Sequence, residues 1–121
     1  MAQGMSSNYW LETVTPLAAN GTFTSTVRDS YGAGQSGNLY AAQSQWAYFA
    51  AVTYADQTGT VMIQGAQTAS GPWYNVSSGS LVANTPLYIY TPVCFQFFQV
   101  VVTNGSTIQT KLNLSTAFTN V

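Results

Sequence analysis

Short runs of β-branched and aromatic residues, separated by turn residues, most strongly restrict the fold of this chain. The clearest example spans residues 44–76 and reads as two strands joined by the turn DQTG (residues 56–59), with a further bend at Gly71-Pro72. Asp accepts hydrogen bonds within turns and Gly tolerates a positive φ, so DQTG predicts a hairpin. Helical periodicity and helix-capping patterns are missing from the sequence. An all-β chain is therefore expected.

The number and spacing of these runs indicate the architecture. About seven or eight short strands bounded by turn residues are typical of a β-sandwich, and 121 residues suffice for one such domain. We expect a single antiparallel sandwich, jelly-roll or Ig-like, over residues 9–121, preceded by a flexible arm at residues 1–8. The expected strands include residues 9–17, 22–27, 80–83, 87–90 and 95–103, with a turn at 77–79 and an Asn104-Gly105 hairpin that leads to a last strand from Ile108.

Alternation along the strands predicts which side chains face the core. Those expected to point inward are Val52, Ile63, Phe98, Val100 and Leu112. Two strands, near Trp46 and over residues 95–102, are apolar on both faces. Covering loops would explain a second apolar face, and so would a neighbouring subunit in a homo-oligomer or larger assembly. The candidate interface residues are Phe95, Phe97, Val101, Tyr9 and Trp10.

Charge restricts the partners. Charged residues make up only 4% of the chain, against about a quarter in ordinary globular proteins. With so few ions to keep molecules apart, association with other subunits is favoured. The two cations, Arg28 and Lys111, are far apart in sequence, whereas phosphate binding needs clustered basic residues. Nucleic acid is therefore excluded as a partner.

Residues that usually perform catalysis are scarce. The chain has no His, which removes an imidazole base, a Ser-His-Asp triad and histidine metal ligands. Glu12, Asp29 and Asp56 belong to separate predicted elements. Asp56 is interpreted as a turn cap, and Asp29 as an ion-pair partner of Arg28 or a loop anchor. Cys94 is expected to be a buried, unreactive thiol. We expect no enzyme activity, no metal and no cofactor.

The sequence also bears on membranes. Residues 1–10 contain neither a basic region nor an apolar core, so no secretory signal is expected. The longest apolar runs are too short for a membrane-spanning helix. No membrane partner is therefore expected.

Aromatic residues near loops are the remaining candidates for a binding site. Trp73, Tyr74 and Tyr31 could stack on a sugar ring, with Asn and Gln side chains supplying hydrogen bonds. The preferred alternative for Trp73 is that it folds back over the core as a lid, because Pro72 fixes the loop before it.

Several short motifs stand out along the chain: LAANGTFTS (17–25), DQTGT (56–60), Ile63-Gln64, Ser70-Gly71 with Trp73, the strand from Phe98 to Asn104-Gly105, and Thr107-Ile108-Gln109. Together they resemble a β-sandwich domain common in tailed-phage structural proteins. The resemblance covers roughly residues 17–116. The chain departs from the family pattern at Gln99, where Arg is expected, and at residues 66–69, where a Ser-Asp-like pair is usual.

The resemblance implies a non-enzymatic virion structural protein, located in virions that are assembled in the host cytoplasm. Capsid decoration is the preferred role, in which a cement protein stabilises the phage head by binding the capsid surface. The partners would be the major capsid protein or other virion subunits. The alternatives are a tail, baseplate or head-fibre subunit, a carbohydrate-binding adhesin that holds a glycan, and a self-assembling filament subunit.

Overall fold

The structure is a computed structural model, and it describes residues 8–31 and 46–120. These residues form nine strands: β1 (Tyr9–Thr13), β2 (Thr22–Thr24), β3 (Arg28–Asp29), β4 (Tyr48–Ala55), β5 (Gly59–Ala66), β6 (Tyr74–Leu81), β7 (Leu87–Pro92), β8 (Phe97–Asn104) and β9 (Leu112–Thr119). The described ranges contain no helix, and so none that is long and apolar enough to cross a membrane.

The strands form two antiparallel sheets packed face to face. The first sheet has the order β1-β9-β4-β7, and the second has the order β2-β8-β5-β6, with the short β3 also pairing with β8. The predicted all-β sandwich is confirmed, with more strands than expected. Of the predicted arm, residues 1–7 lie outside the described residues, while Asn8 extends the pairing of β1 with β9 through hydrogen bonds with Phe118.

The two hairpins expected from turn residues are not formed. DQTG joins β4 of the first sheet to β5 of the second, and residues 104–105 stand where the chain leaves β8 of the second sheet for β9 of the first. The partners of the turn residues give the reason. The Asp56 carboxylate accepts a hydrogen bond from the N–H of Thr110, and the N–H of Gly105 donates to the Thr58 carbonyl at 3.0 Å. The two connections cross between the sheets and bond to each other.

Four of the six motifs that resemble phage proteins meet at this end of the sandwich, whereas Ile63-Gln64 lies within β5 and Ser70-Gly71 with Trp73 lies beyond its other end. The N–H of Asn104 donates to the Gly21 carbonyl, and the N–H of Asn20 donates to the Gly105 carbonyl. The buried Asn104 side chain donates to the carbonyls of residues 17, 18 and 107. Buried amides with partners of this kind stabilise loop conformations. The motifs at this end therefore reflect the hydrogen bonds that hold the connections between the sheets together.

Three phenylalanines from the two sheets form the centre of the core. The ring centroid of Phe49 on β4 lies 5.0 Å from that of Phe98 on β8 and 4.9 Å from that of Phe118 on β9. Burying each ring contributes about 1.5–3 kcal/mol relative to leaving it exposed. The aliphatic side chains packed around them are Val61, Ile63, Leu81, Ile89, Val100, Val102, Leu112 and Leu114.

The inward-facing prediction is confirmed for all but one residue. The buried residues are Ile63, Phe98, Val100 and Leu112. The prediction is wrong for Val52, which is 44% exposed on the outer face of the first sheet. The opposite side of β4 supplies the core, where the small Ala51 and Thr53 leave room beside Phe49.

Several local expectations are corrected. Residues 77–79 form part of β6 instead of a turn, because they pair with β5. The last strand begins at Leu112, which leaves Ile108 63% exposed. Cys94 is exposed, since it lies in the connection between β7 and β8. β1 and β2 are shorter than expected and end at Thr13 and Thr24.

An ion pair connects an edge of each sheet. Glu12 of β1 and Arg28 of β3 approach to 2.7 Å, with side chains that are 2% and 19% exposed. The guanidinium also lies 4.3 Å from the ring centroid of Trp10. Arg28 therefore pairs with Glu12 and not with its neighbour Asp29. Asp29 is the predicted loop anchor: it accepts hydrogen bonds from the N–H of Tyr31 and the side chain of residue 96.

Candidate functional site

Exposed apolar side chains concentrate on the outer face of the first sheet. Strand register places Tyr9, Ala117, Ala50 and Tyr90 in one row across the four strands, and Leu11, Ser115, Val52 and Tyr88 in the next. Larger side chains stand on the edge strands β1 and β7, and mostly small ones on the central strands β9 and β4. The face is therefore lower in the middle than at its edges.

We call the depression between Tyr9 and Tyr88 the trough. Ala50, Ser115 and Ala117 form its floor together with the larger Val52 beside Tyr88, and its volume is about 310 Å³. Small-molecule sites occupy roughly 300–1,000 Å³, so the trough is at the lower end of that range.

The wall on β7 belongs to a cluster of three tyrosines. The rings of Tyr88 and Tyr90 stack, with centroids 5.6 Å apart and planes at 28°. Tyr48 of β4 meets Tyr90 edge-on, at 5.7 Å and 79°. Aromatic pairs in these geometries attract each other, so each ring limits the movement of the next. Tyr88 and Tyr90 are nevertheless 55% and 53% exposed.

The opposite wall and the floor are connected by a pair of hydroxyl groups. The hydroxyl of Tyr9 donates to the Ser115 hydroxyl at 3.2 Å. None of the described residues that line the trough is charged. The arrangement can therefore contact an uncharged ligand through ring faces and hydroxyl groups.

The charged side chains lie outside the trough, and Asp56 is one example. Its carboxylate accepts hydrogen bonds from the Thr110 hydroxyl at 2.6 Å and from the N–H of Lys111 at 3.1 Å. These bonds, the Thr110 hydroxyl first, lower the pKa of Asp56 from 3.8 to about 2, although desolvation opposes them. Asp56 is thus a cap, but of the segment before β9 instead of its own turn.

The two remaining acids, Glu12 and Asp29, also have partners within the chain. Glu12 is bonded to Arg28, and Asp29 to Gln96. Within the described ranges, no group of three or more His, Cys, Asp or Glu residues could hold a metal ion.

The three residues predicted to stack on a sugar are not brought together in one site by any observed contact. The Tyr74 ring stacks on Phe95, with centroids 5.8 Å apart and planes at 13°. Trp73 is half-buried beside Gly71, and Tyr31 is half-buried in the turn after β3. A ligand-stacking role for these residues stays a prediction.

The predicted interface residues fall on different surfaces. Phe97 and Val101 project from β8 on the outer face of the second sheet, whereas Tyr9 lines the trough. Phe95 and Trp10 pack against the core, and the Trp10 ring lies 5.8 Å from that of residue 118. A contact with a partner through this set also stays a prediction.

Sequence reasoning missed Tyr88 and Tyr90. Both lie in the expected strand over residues 87–90, where Leu87 and Ile89 alternate with them. Ile89 is buried and Leu87 packs against the core, so the tyrosines must point outward. That alternation was the available signal for an aromatic surface.

The outer face of the second sheet differs from the trough because its polar side chains bond to one another. The side-chain amide of Gln99 donates to Gln64 at 2.7 Å, and that of Gln64 donates to Asn75 at 2.9 Å. This chain of amides crosses β8, β5 and β6. Threonines flank it, with Thr22 paired to Thr103. The polar groups of this face largely satisfy one another.

Comparison with known proteins identifies the fold. No curated protein matches the sequence. Among solved structures, the PBSX exported protein XepA is similar over 93% of this chain, with a TM-score of 0.75 and 15% identity. This chain spans 37% of XepA's length. The Yersinia pseudotuberculosis-derived mitogen is similar over 95% of this chain and 89% of its own, with a TM-score of 0.59 and 11% identity.

A third similar structure, PirA, matches over 98% of this chain and 99% of its own, with a TM-score of 0.55 and 10% identity. At such identities the likeness concerns the fold alone. The family model described as the uncharacterised protein YqxG N-terminal domain matches residues 1–119. The chain therefore belongs to the family of YqxG N-terminal domains.

Proposed function

We propose that this chain is a non-enzymatic structural protein of phage particles and that it decorates the capsid as a cement protein. The observation that carries the proposal is the scarcity of charge: only 4% of the residues are charged, and Glu12, Arg28, Asp29 and Asp56 already have bonding partners within the chain. A surface of hydroxyl, amide and apolar groups offers little electrostatic repulsion to another subunit. Such a surface suits a protein that is packed against others in an assembly.

Similarity to other proteins supports a phage setting. XepA is an exported protein of the phage PBSX. The motifs that resemble tailed-phage structural proteins point in the same direction. A virion location and a capsid subunit as partner are parts of the proposal.

The absence of catalysis is also proposed. The chain has no His, and its carboxylates accept hydrogen bonds from structural partners. A general base must instead be within hydrogen-bonding distance of a substrate proton.

The proposed attachment face is the outer face of the second sheet. Phe97 and Val101 project there from β8, and Met62 of β5 pairs opposite Val101. On the same face, the hydrogen bond between Gln99 and Gln64 orders these two side chains. Groups that are ordered before contact lose less conformational entropy on binding. A capsid subunit would bury these residues, and a second copy of this chain could share the contact in a homo-oligomer.

Particles made with the gene intact and with the gene disrupted test this function. Particles that lack the chain should release DNA at a lower temperature, because a protein that binds the mature shell stabilises it by mass action. Adding the purified chain should restore the release temperature. The double variant Phe97→Ser/Val101→Ser should not restore it, whereas the matched control Tyr88→Ala, on the other face, should.

Two results would contradict the capsid role. One is a DNA-release temperature that does not depend on the chain. The other is a chain found on tails and missing from heads, which would favour the tail or baseplate alternative.

A further inference from the structure

The trough lies on the opposite side of the sandwich from the attachment face. We propose that the trough binds a single chain of a neutral polysaccharide, with the rings of Tyr9 and Tyr88 against the faces of sugar rings. This site goes beyond the capsid role. It also differs in position from the residues predicted to stack on a sugar, Trp73, Tyr74 and Tyr31.

The shape of the trough selects a narrow ligand. Adjacent strands lie about 4.8 Å apart, so β1 and β7, separated by three intervals, are about 14 Å apart. Tyr9 and Tyr88 stand on these edge strands over the low floor. A flat protein surface would contact the two walls and leave the floor empty. A single chain of sugar rings would contact both walls and the floor.

The chemistry of the lining favours an uncharged, hydroxyl-rich molecule. The face of an aromatic ring is negative and attracts the weakly positive C–H groups of a sugar ring. Because the Tyr9 hydroxyl donates to Ser115, the serine hydroxyl hydrogen is available to a ligand. An anionic or cationic ligand would lose hydration without gaining an opposite charge, since no charged residue lines the trough.

The wall on β7 is ordered before any ligand arrives. Tyr48 holds Tyr90 edge-on, and Tyr90 stacks on Tyr88. About half of the Tyr88 and Tyr90 side chains remains exposed. Binding to such a wall loses little side-chain entropy, and the exposed ring surface is available to be covered.

The sheet itself disfavours two other occupants. The floor strands β9 and β4 are hydrogen-bonded on both sides, so an extended peptide cannot add to them as a further strand. Nucleic acid requires cations along its path, and none lines the trough.

The test uses the full chain, labelled for two-dimensional NMR and titrated with neutral oligosaccharides: maltohexaose, cellohexaose, mannohexaose and laminarihexaose. Anionic hexagalacturonate and a polyproline peptide are the comparison probes. At least one neutral probe should give saturable shifts confined to β1, β4, β7 and β9, with none from the comparison probes. No binding of any neutral probe, shifts centred elsewhere, or preferential binding of either comparison probe would overturn the proposal.

Variants locate the site. Tyr88→Ala should weaken binding by up to about tenfold, the upper value for one stacking contact. Ala117→Ile, which fills the floor, should weaken binding at least as much. The matched control is Tyr74→Ala, because Tyr74 is 52% exposed against 55% for Tyr88 and lies outside the trough. Unchanged affinity in a folded Ala117→Ile variant, or an equal loss in Tyr74→Ala, would overturn the assignment to the trough.

The saccharide site and the capsid role can fail separately. Tyr88→Ala should lose saccharide affinity and keep capsid attachment. Phe97→Ser/Val101→Ser should keep saccharide affinity and lose attachment. A chain that binds capsids but none of the neutral probes would overturn the saccharide site alone.

Discussion

The outer faces of the two sheets follow the same alternation of residues but carry opposite chemistry. On the second sheet, Gln99, Gln64 and Asn75 donate and accept among themselves. On the first sheet, Tyr9 and Tyr88 are 63% and 55% exposed over a floor of small residues. Paired amides keep their hydrogen bonds whether or not a partner covers them, whereas exposed ring faces gain contacts when they are covered.

The difference lies on the side of each strand that core packing does not restrict. The core fixes the inner face, where Phe98 of the second sheet packs against Phe49 and Phe118 of the first. Outer faces are restricted mainly by strand propensity and solubility. A fold shared with XepA at 15% identity therefore says little about the outer faces, and binding specificity is expected to lie there.

Phe98→Ala should have the largest effect on stability. The ring is fully buried between the sheets, so its removal should lower the free energy of unfolding by about 3–5 kcal/mol. Urea denaturation would measure the change. Tyr90→Ala is the matched control, since it removes a larger side chain from the outer face and should cost far less. Equal losses would mean that the outer face of the first sheet is part of the core, and the comparison of faces would fail.

The inner faces could be predicted because strand side chains alternate with a period of two. In β9, Leu112, Leu114 and Phe118 are buried, as the alternation indicates. The pairing of strands could not be predicted in the same way. A Gly within a turn signal predicts a hairpin, but Gly59 is required for another reason: a Cβ there would lie 2.5 Å from the Thr103 carbonyl oxygen of the neighbouring strand β8. A close approach between neighbouring strands and a hairpin turn leave the same local signal.

The trough could not be predicted from the sequence for a related reason. Its first row combines Tyr9, Ala50, Tyr90 and Ala117, from four separate strands. Each residue is unremarkable in its own segment, and the trough exists only once strand order and register are known. The aromatic residues near loops were the visible candidates, whereas the structure places the exposed tyrosine cluster along strands.

Gln64→Ala should have an intermediate effect that distinguishes the two faces. It leaves Gln99 without its acceptor and Asn75 without its donor, and should lower the free energy of unfolding by about 1 kcal/mol. Ser115→Ala, on the first sheet, removes a less connected hydroxyl and should cost less than about 0.5 kcal/mol. Denaturation midpoints of the two variants under the same conditions would measure the difference. Equal costs would mean that the amide chain adds nothing to the second sheet.

Asp56→Asn should have the smallest effect, and one that depends on pH. Asp56 belongs to neither outer face, because it caps the segment before β9 at the end where the sheets are connected. Folding lowers its pKa from 3.8 to about 2. The folded state therefore favours the ionised carboxylate, and the stabilisation is complete above the unfolded pKa and is lost as pH falls from about 4 to about 2. Unfolding free energies should differ between the wild-type chain and Asp56→Asn at neutral pH and converge within that acidic range.

The variant Thr110→Val distinguishes the loss of the Asp56 cap from a general effect of low pH on stability. The Thr110 hydroxyl is the largest cause of the lowered pKa, so its removal should raise the pKa of Asp56 toward 3.8 and move the loss of stability to higher pH. The carboxyl carbon of Asp56, followed by NMR during titration, would give the pKa directly. Tyr88→Ala and Gln64→Ala should leave that titration unchanged, because neither outer face contributes a hydrogen bond to the carboxylate. A titration that shifts in either variant would show that the faces and the capped end are coupled, and that the two faces cannot be compared as independent surfaces.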